Sequence, residues 1–276
     1  MNQTKLVKAS LYLLVLIFVV AFSFPLYWLF VNSIQPLFTG TAWFPLHPTL
    51  ENYHLAFTLR PYWMFFKNSV ILTTISVVLP LFFSFFSGFA FARLRAKFKG
   101  FLFMIILSTM MVPATVILIP QYVLFHEYGL LGTYLPWILG GIGGSPFVIF
   151  LYRQFFMNIP MELDEAARMD GCSTYGIIFR IYIPISLPVI ATAGILLFNN
   201  SWGADFLTPF MFLQESQYPL STALLQIGYI YPKSPNIEIP QVQFAALVIF
   251  ILPILVVYLF GQRFLVSGIM TGAVKS

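Results

Sequence analysis

Long runs of apolar residues constrain the fold of this chain more than any other feature. An α-helix needs about 20 mostly apolar residues to cross the hydrocarbon core of a bilayer. Six stretches meet this requirement, at roughly residues 10–32, 69–92, 101–124, 134–152, 188–208 and 242–262. Backbone polar groups must be paired inside hydrocarbon, and a helix pairs them within one segment. The pattern therefore predicts an all-α membrane protein with six transmembrane helices in a single transmembrane domain spanning residues 1–276.

The composition excludes an ordinary soluble domain. Of the 276 residues, 59% are hydrophobic and 8% are charged, and the mean hydropathy is +0.89. Soluble domains carry about 25% charged residues. The first apolar run, residues 11–30, is too long for the apolar part of a secretory signal and lacks a small-residue cleavage site. It predicts a membrane span that is retained.

The positions of lysine and arginine predict the orientation, because cytoplasmic loops carry an excess of both. Three of the 14 such residues, Arg60, Lys67 and Lys233, fall on one side of the predicted helices. The others fall on the opposite side: Lys5, Lys8, Arg93, Arg95, Lys97, Lys99, Arg153, Arg168, Arg180, Arg263 and Lys275. Both termini and the loop 153–187 are thus expected to be cytoplasmic, in a multi-pass protein of the cell (inner) membrane. The net charge of +5 is explained by topology, without a nucleic-acid partner.

The sequence gives little basis for catalysis. Cys172 is the single cysteine, and the three histidines have no cysteine partners, so neither an internal disulfide nor a metal cluster is expected. Asp205 is the only acidic residue within the predicted spans, whereas an intramembrane enzyme would need paired acids, a Ser/His pair or a metal. No GxxxxGK[ST] pattern is present, so ATP hydrolysis is not expected on this chain. A stand-alone channel or carrier is a further alternative.

A polar segment between the fourth and fifth predicted spans predicts a helix outside the bilayer, over residues 160–171. Its acidic residues lie near the N-terminal end, which the helix dipole favours. Pro160 suits the first turn and Gly171 the position after the C-cap. Pro184 and Pro188 follow, and they predict a stiff bend that transmits force on the helix to the fifth span.

One face of this predicted helix is narrow. Leu163, Ala166, Ala167 and Asp170 share it by their spacing, and the two central alanines keep it small. Such a face fits a groove on another protein. The same spacing also fits an amphipathic helix lying on the membrane surface or against a neighbouring loop.

The residues of this segment resemble the EAA motif in the membrane subunits of bacterial ABC importers. The motif residues are Glu165-Ala166-Ala167, Asp170-Gly171, Ile181 and Pro184. The likeness covers nearly the whole chain and is closest to the shorter permease of maltose-type carbohydrate importers. Further similar segments lie at 50–53, 92–95, 98–100, 110–113, 119–120, 202–206 and 272–275. Cys172 and Ile178 depart from the pattern, where the family more often has alanine and phenylalanine.

The resemblance implies an assembly. The partners would be a homologous second permease, two copies of an ABC ATPase and an extracytoplasmic sugar-binding protein. Glu165, Ala166, Ala167 and Gly171 would contact the ATPase, with Asp170 bracing the loop. The tail at 272–276 would also reach the ATPase pair. ATP and Mg²⁺ would be bound by the ATPase, and no cofactor is implied on this chain.

Polar side chains in the spans are candidates for a solute pathway, since polar groups there usually face a protein interior or cavity. The candidates are Asn199, Asn200, Trp202, Asp205, Gln121 and Tyr122. Aromatic faces and amides suit sugars, because a sugar ring has both C–H faces and hydroxyls. Helix–helix hydrogen bonding, or an interfacial anchor for Trp202, explains the same residues equally well. Glycerol phosphate or a related polar solute is an alternative cargo, which the scarcity of Arg and Lys in the spans disfavours.

Overall fold

The computed structural model describes residues 3–45, 47–234 and 237–273, and it describes side chains over 7–45, 47–234 and 237–264. Nearly all of the regular structure in these ranges is helical, and their one β feature is an isolated bridge between Ile230 and Glu238. The chain forms two compact units, 1–63 with 224–252 and 64–223 with 253–276. The predicted tail contact at 272–276 falls largely on residues 274–276, outside the described residues.

The first unit contains α1 (Gln3–Ser33), α2 (Glu51–Thr58) and the N-terminal part of α14 (Pro240–Ala273). The side-chain amide of buried Asn52 donates to the carbonyl oxygens of Ser33 at 2.8 Å and Gln35 at 2.6 Å. The hydroxyl of Tyr229 donates to the carbonyl oxygen of Ala56 at 2.9 Å. These bonds hold α2 against the end of α1 and against the segment that precedes α14.

The second unit contains most of α3 (Tyr62–Arg93) and the shorter helices. These are α4 (Lys99–Thr109), α5 (Ala114–Glu127), α6 (Leu135–Gly143), α7 (Pro146–Met157), α8 (Met161–Met169), α9 (Thr174–Ile177), α10 (Ile183–Ile185), α11 (Leu187–Asn199), α12 (Leu207–Phe212) and α13 (Leu220–Gln226). Two π-helical turns, Ile178–Tyr182 and Asn200–Ala204, one 3₁₀ turn, Glu215–Gln217, and the C-terminal part of α14 complete it, and the last three residues of α13 belong to the first unit. Its core is aromatic, with Phe85, Phe89, Tyr152, Phe156 and Tyr182 in contact.

Four helical segments are long and apolar enough to cross a membrane without a sharp bend: Val7–Ser33, Tyr62–Arg93, Leu135–Met157 and Pro240–Phe264. Two further candidates are bent pairs, Lys99–Thr109 with Ala114–Glu127 at 95° and Thr174–Ile185 with Leu187–Ala204 at 74°. By length and composition the structure thus has four spans, or up to six if each bent pair is one span. The predicted spans 101–124 and 188–208 are therefore not continuous helices, and residues 144 and 145 also divide the helices of the predicted span 134–152.

Two helix breaks within the predicted spans, at Pro113 and at Asp205, have local causes. Pro113 caps α5 with an extended backbone (φ −60°, ψ 132°), and proline lacks the N–H that a continuous helix would need there. In the fifth stretch the π turn 200–204 ends at Asp205, whose backbone (φ −93°, ψ 85°) leaves the helical region. Asp205 therefore lies at a helix break, and not within a continuous span as predicted.

Glycines set the close approach of α3 to α6 and α7. A Cβ at Gly141 would lie 2.7 Å from the Cβ of Leu79, and a Cβ at Gly88 would lie 2.6 Å from the Cβ of Tyr152. Gly144, with φ +75°, ends α6. The glycine run at 140–144 therefore provides both close packing and a helix break.

The substitution Gly88→Ala is expected to destabilise the protein, because the added methyl would overlap Tyr152 at the crossing of α3 and α7. Overpacking of this kind typically costs about 1–3 kcal/mol. The thermal midpoint of the purified protein in detergent measures the effect. Gly100→Ala in α4 is the matched control, since a Cβ there meets nothing within 4 Å. An equal midpoint for the two variants would contradict the proposed packing.

Candidate functional site

The polar helix of the fourth loop is α8, Met161–Met169. Pro160 precedes it as the N-cap with an extended backbone (φ −57°, ψ 140°), one position earlier than predicted. Asp170 is the C-cap and Gly171 follows with φ +78°, the left-handed conformation that glycine adopts without strain. The helix end therefore lies where the sequence placed it.

The exposed face of α8 is not the face that the sequence predicted. Ala167 is only 7% exposed and packs into the aromatic core, so it faces inward instead of toward a partner. Asp164 is also buried, at 6% exposure. The exposed stripe consists of Glu162, Glu165, Ala166 and Met169, spaced i, i+3, i+4 and i+7, and it is called the outer stripe below.

Leu163 and Asp170 are exposed as well, at the flank of the outer stripe. Of the residues assigned to ATPase contact, Glu165 and Ala166 lie in the outer stripe. Gly171 lies just beyond the end of α8, where a Cβ would meet nothing within 4 Å. No described contact shows Asp170 bracing the loop through its side chain.

A buried ion pair anchors the inner face of α8. Arg93, the last residue of α3, places its Nε 3.7 Å from Oδ2 of Asp164, and the two side chains are only 5% and 9% exposed. The Tyr182 hydroxyl donates to Oδ1 of Asp164 at 2.8 Å. The Arg93 guanidinium also donates to the carbonyl oxygen of Ile159 and lies over the Tyr182 ring. Arg93, Asp164 and Tyr182 are called the anchor cluster.

The anchor cluster joins three elements: the end of α3, α8 and the π turn before α10. Sequence reasoning missed it, because Asp164 was explained by the helix dipole and Arg93 by membrane topology. Beyond the cluster, the chain bends by 74° between Thr174–Ile185 and Leu187–Ala204. This is the bend that Pro184 and Pro188 predicted.

A cavity of about 290 Å³ lies within the second unit, among α3, α5, α6, α11 and α12. Its polar lining residues are Ser76, Gln121, Asn200, Ser201, Asp205 and Thr208. Its aromatic lining residues are Phe125, Trp137 and Phe212, whose rings pack edge to face with centroids 5.4 Å apart for Phe125–Phe212 and 5.9 Å apart for Trp137–Phe212. A small polar molecule with apolar faces fits such a lining.

Three of the six predicted pathway residues, Gln121, Asn200 and Asp205, line this cavity. The other three do not. Trp202 is 3% exposed and stacks on Phe198 with ring centroids 5.5 Å apart, as a core residue does. Tyr122 stacks on His126 at 6.4 Å, and Asn199 is exposed outside the cavity lining. Trp137 and Thr208 were missed because neither stands out by charge or motif.

Asp205 is held by its own helix break. Its N–H donates to the carbonyl oxygen of Asn200 at 2.8 Å, closing the π turn. Its Oδ1 accepts the N–H of Thr208 at 3.1 Å, at the start of α12. π turns are rare and often occur at functional sites. No group of three His, Cys, Asp or Glu side chains in the described part of the chain could hold a metal.

Comparison with known proteins assigns the chain to a family. Residues 81–271, which include α8, the anchor cluster and most of the cavity, match the family described as binding-protein-dependent transport system inner membrane component. The chain belongs to this family. It is therefore a permease subunit of ABC transport systems, as the EAA motif predicted.

Several relatives are similar over most of this permease. It is 36% identical over 231 residues to the arabinooligosaccharides transport system permease protein AraQ of Halalkalibacterium halodurans, covering 82% of this chain and 80% of that one. It is 30% identical over 260 residues to the sulfoquinovosyl glycerol transport system permease protein SmoH of Agrobacterium fabrum, covering 91% and 88%. A bacterial ABC transporter involved in the import of the acidic polysaccharide alginate has the same fold, with a TM-score of 0.81 over 95% of this chain and 98% of that one, at 23% identity.

Proposed function

We propose that this permease imports a sugar or oligosaccharide across the cytoplasmic membrane, driven by ATP hydrolysis on a partner chain. The observation that carries the proposal is the exposed outer stripe of α8, anchored from behind to α3. The relatives' names support the substrate class, since they refer to arabinooligosaccharides and to sulfoquinovosyl glycerol. They differ in the specific solute, so the class and not one sugar is proposed.

The mechanism follows from how α8 is attached. Glu165, Ala166 and Gly171 contact an ABC ATPase, and closure of the ATPase pair displaces α8. The anchor cluster transmits the displacement to α3, because a buried ion pair with its hydrogen bonds does not extend without a large loss of free energy. Since α3 lines the cavity with Leu72, Ser76 and Pro80, motion of α3 changes the cavity.

The proposed topology has six spans. Each bent helix pair counts as one span, and the predominance of Lys and Arg on one side supports a cytoplasmic location for both termini and α8. A homologous second permease, two ATPase copies and an extracytoplasmic sugar-binding protein complete the importer.

Co-purification of the tagged protein from its native membrane in mild detergent, with mass spectrometry of the bound chains, tests the assembly. We expect an ABC ATPase and a second multi-span permease to be recovered with it. Recovery of this chain alone, or only as a homo-oligomer, would favour a channel or carrier and overturn the proposal.

A further inference from the structure

We propose that the cavity of the second unit is a solute site on this subunit, and that it takes an uncharged saccharide ring in preference to an anionic one. The inference rests on the proposed function, because it names the charge class of the imported sugar and the residues that select it. It concerns the side chains of this chain alone.

The lining provides both kinds of contact that a sugar needs. The amides of Gln121 and Asn200 come from different helices and can each donate and accept hydrogen bonds to hydroxyls. Trp137 and Phe125 provide apolar surface for the C–H face of a ring. A cavity with this mixture and a volume near 290 Å³ is suited to a ring-sized part of a saccharide.

The charge of the lining favours an uncharged ligand. Among the described residues that line the cavity, Asp205 alone carries a formal charge, and neither Lys nor Arg is present. An ionised carboxylate accepts hydrogen bonds from hydroxyls but repels a carboxylate, sulfonate or phosphate at short range. Recognition of such anions usually uses arginine or lysine. The lining therefore differs from what an acidic saccharide requires.

Gly140 allows the site to be blocked without disturbing the helix packing. It lines the cavity, and a Cβ there would meet nothing within 4 Å. The neighbouring Gly141 differs, because its Cβ would clash with Leu79. A leucine side chain at position 140 would thus extend into cavity space.

The first test measures uptake by the complete importer in membrane vesicles, with its binding protein. The probes are neutral oligosaccharides of arabinose and glucose and acidic ones of galacturonate and mannuronate, each two to four residues long. We expect a neutral member to be transported and the acidic members to be excluded. Transport of an acidic member would overturn the inference while leaving the proposed function intact. Transport of no member, together with a failure to recover an ABC ATPase in the co-purification, would contradict the proposed function itself.

The second test uses variants with the transported probe. Gly140→Leu is expected to lower the uptake rate by at least about tenfold with unchanged assembly, since solute and side chain would occupy the same space. Gly143→Leu, on the same helix but outside the cavity lining, is the control and should stay within about twofold.

Asp205→Asn tests the cavity independently if the Gly140→Leu variant does not assemble. The amide oxygen can still accept the Thr208 N–H while the charge is lost. We expect KM for the neutral probe to rise by about fivefold to 50-fold with similar kcat, because a charge-assisted hydrogen bond is removed. Unchanged KM in this variant, or normal uptake by Gly140→Leu, would overturn the site.

Discussion

The substitution Ala166→Arg is expected to abolish coupled transport while leaving the permease folded and in the membrane. Ala166 is exposed in the outer stripe of α8, so an arginine there costs the fold little. A contact that fits alanine has no space for a long charged side chain, and a central interface residue can change affinity by 2 kcal/mol or more. We expect uptake to fall by at least about 30-fold, and ATPase recovery in co-purification to fall with it.

Two matched variants separate docking from folding. Ala166→Ser adds one polar atom on the exposed face and should transport normally. Ala167→Arg places the same charge one residue further on, where the side chain is 7% exposed in the aromatic core, and should lower the amount of folded permease instead. If Ala166→Arg retained normal uptake, or lost it only through lower protein level, α8 would not be the ATPase contact.

The contrast between Ala166 and Ala167 shows what the sequence could establish and what it could not. The positions of the apolar runs, the end of α8 at Gly171 and the bend near Pro184 were all predicted, because chain length, glycine and proline act locally. Which of two adjacent alanines faces the core could not be decided locally. The neighbouring aromatic residues come from α3 and α7, and their packing sets the rotation of α8.

The cavity of the second unit was predicted in part for the same reason. Gln121, Asn200 and Asp205 stand out in sequence as polar groups in apolar runs, and all three line it. Trp202 stands out equally but stacks in the core, whereas Trp137 lines the cavity from a helix without polar neighbours. Composition identifies polar residues that need a partner or a cavity, and only the packed structure distinguishes those two outcomes.

Removing one member of the Arg93–Asp164 pair is expected to have the second large effect. Each side chain is under a tenth exposed, so Asp164→Asn leaves the guanidinium buried without its counter-charge. Breaking a buried pair in this way costs about 3–5 kcal/mol. Asp164→Asn and Arg93→Met should each lower the thermal midpoint of the purified complex and reduce uptake strongly.

The double variant Arg93→Met/Asp164→Leu tests whether this ion pair only stabilises the fold or also transmits the displacement of α8 to α3. With both charges removed, no unpaired ion remains, and apolar replacements of a buried pair are often neutral for stability. We therefore expect the thermal midpoint to recover most of its loss, with a coupling free energy of about 1–3 kcal/mol in the double-mutant cycle. Uptake should stay low, because the double variant also removes the hydrogen bonds from Tyr182 to Asp164 and from Arg93 to the Ile159 carbonyl, which join α8 to the neighbouring elements. A double variant that regains both stability and uptake would mean that the anchor cluster only stabilises the fold. The displacement of α8 would then reach the cavity through the bend ahead of α11 and not through α3.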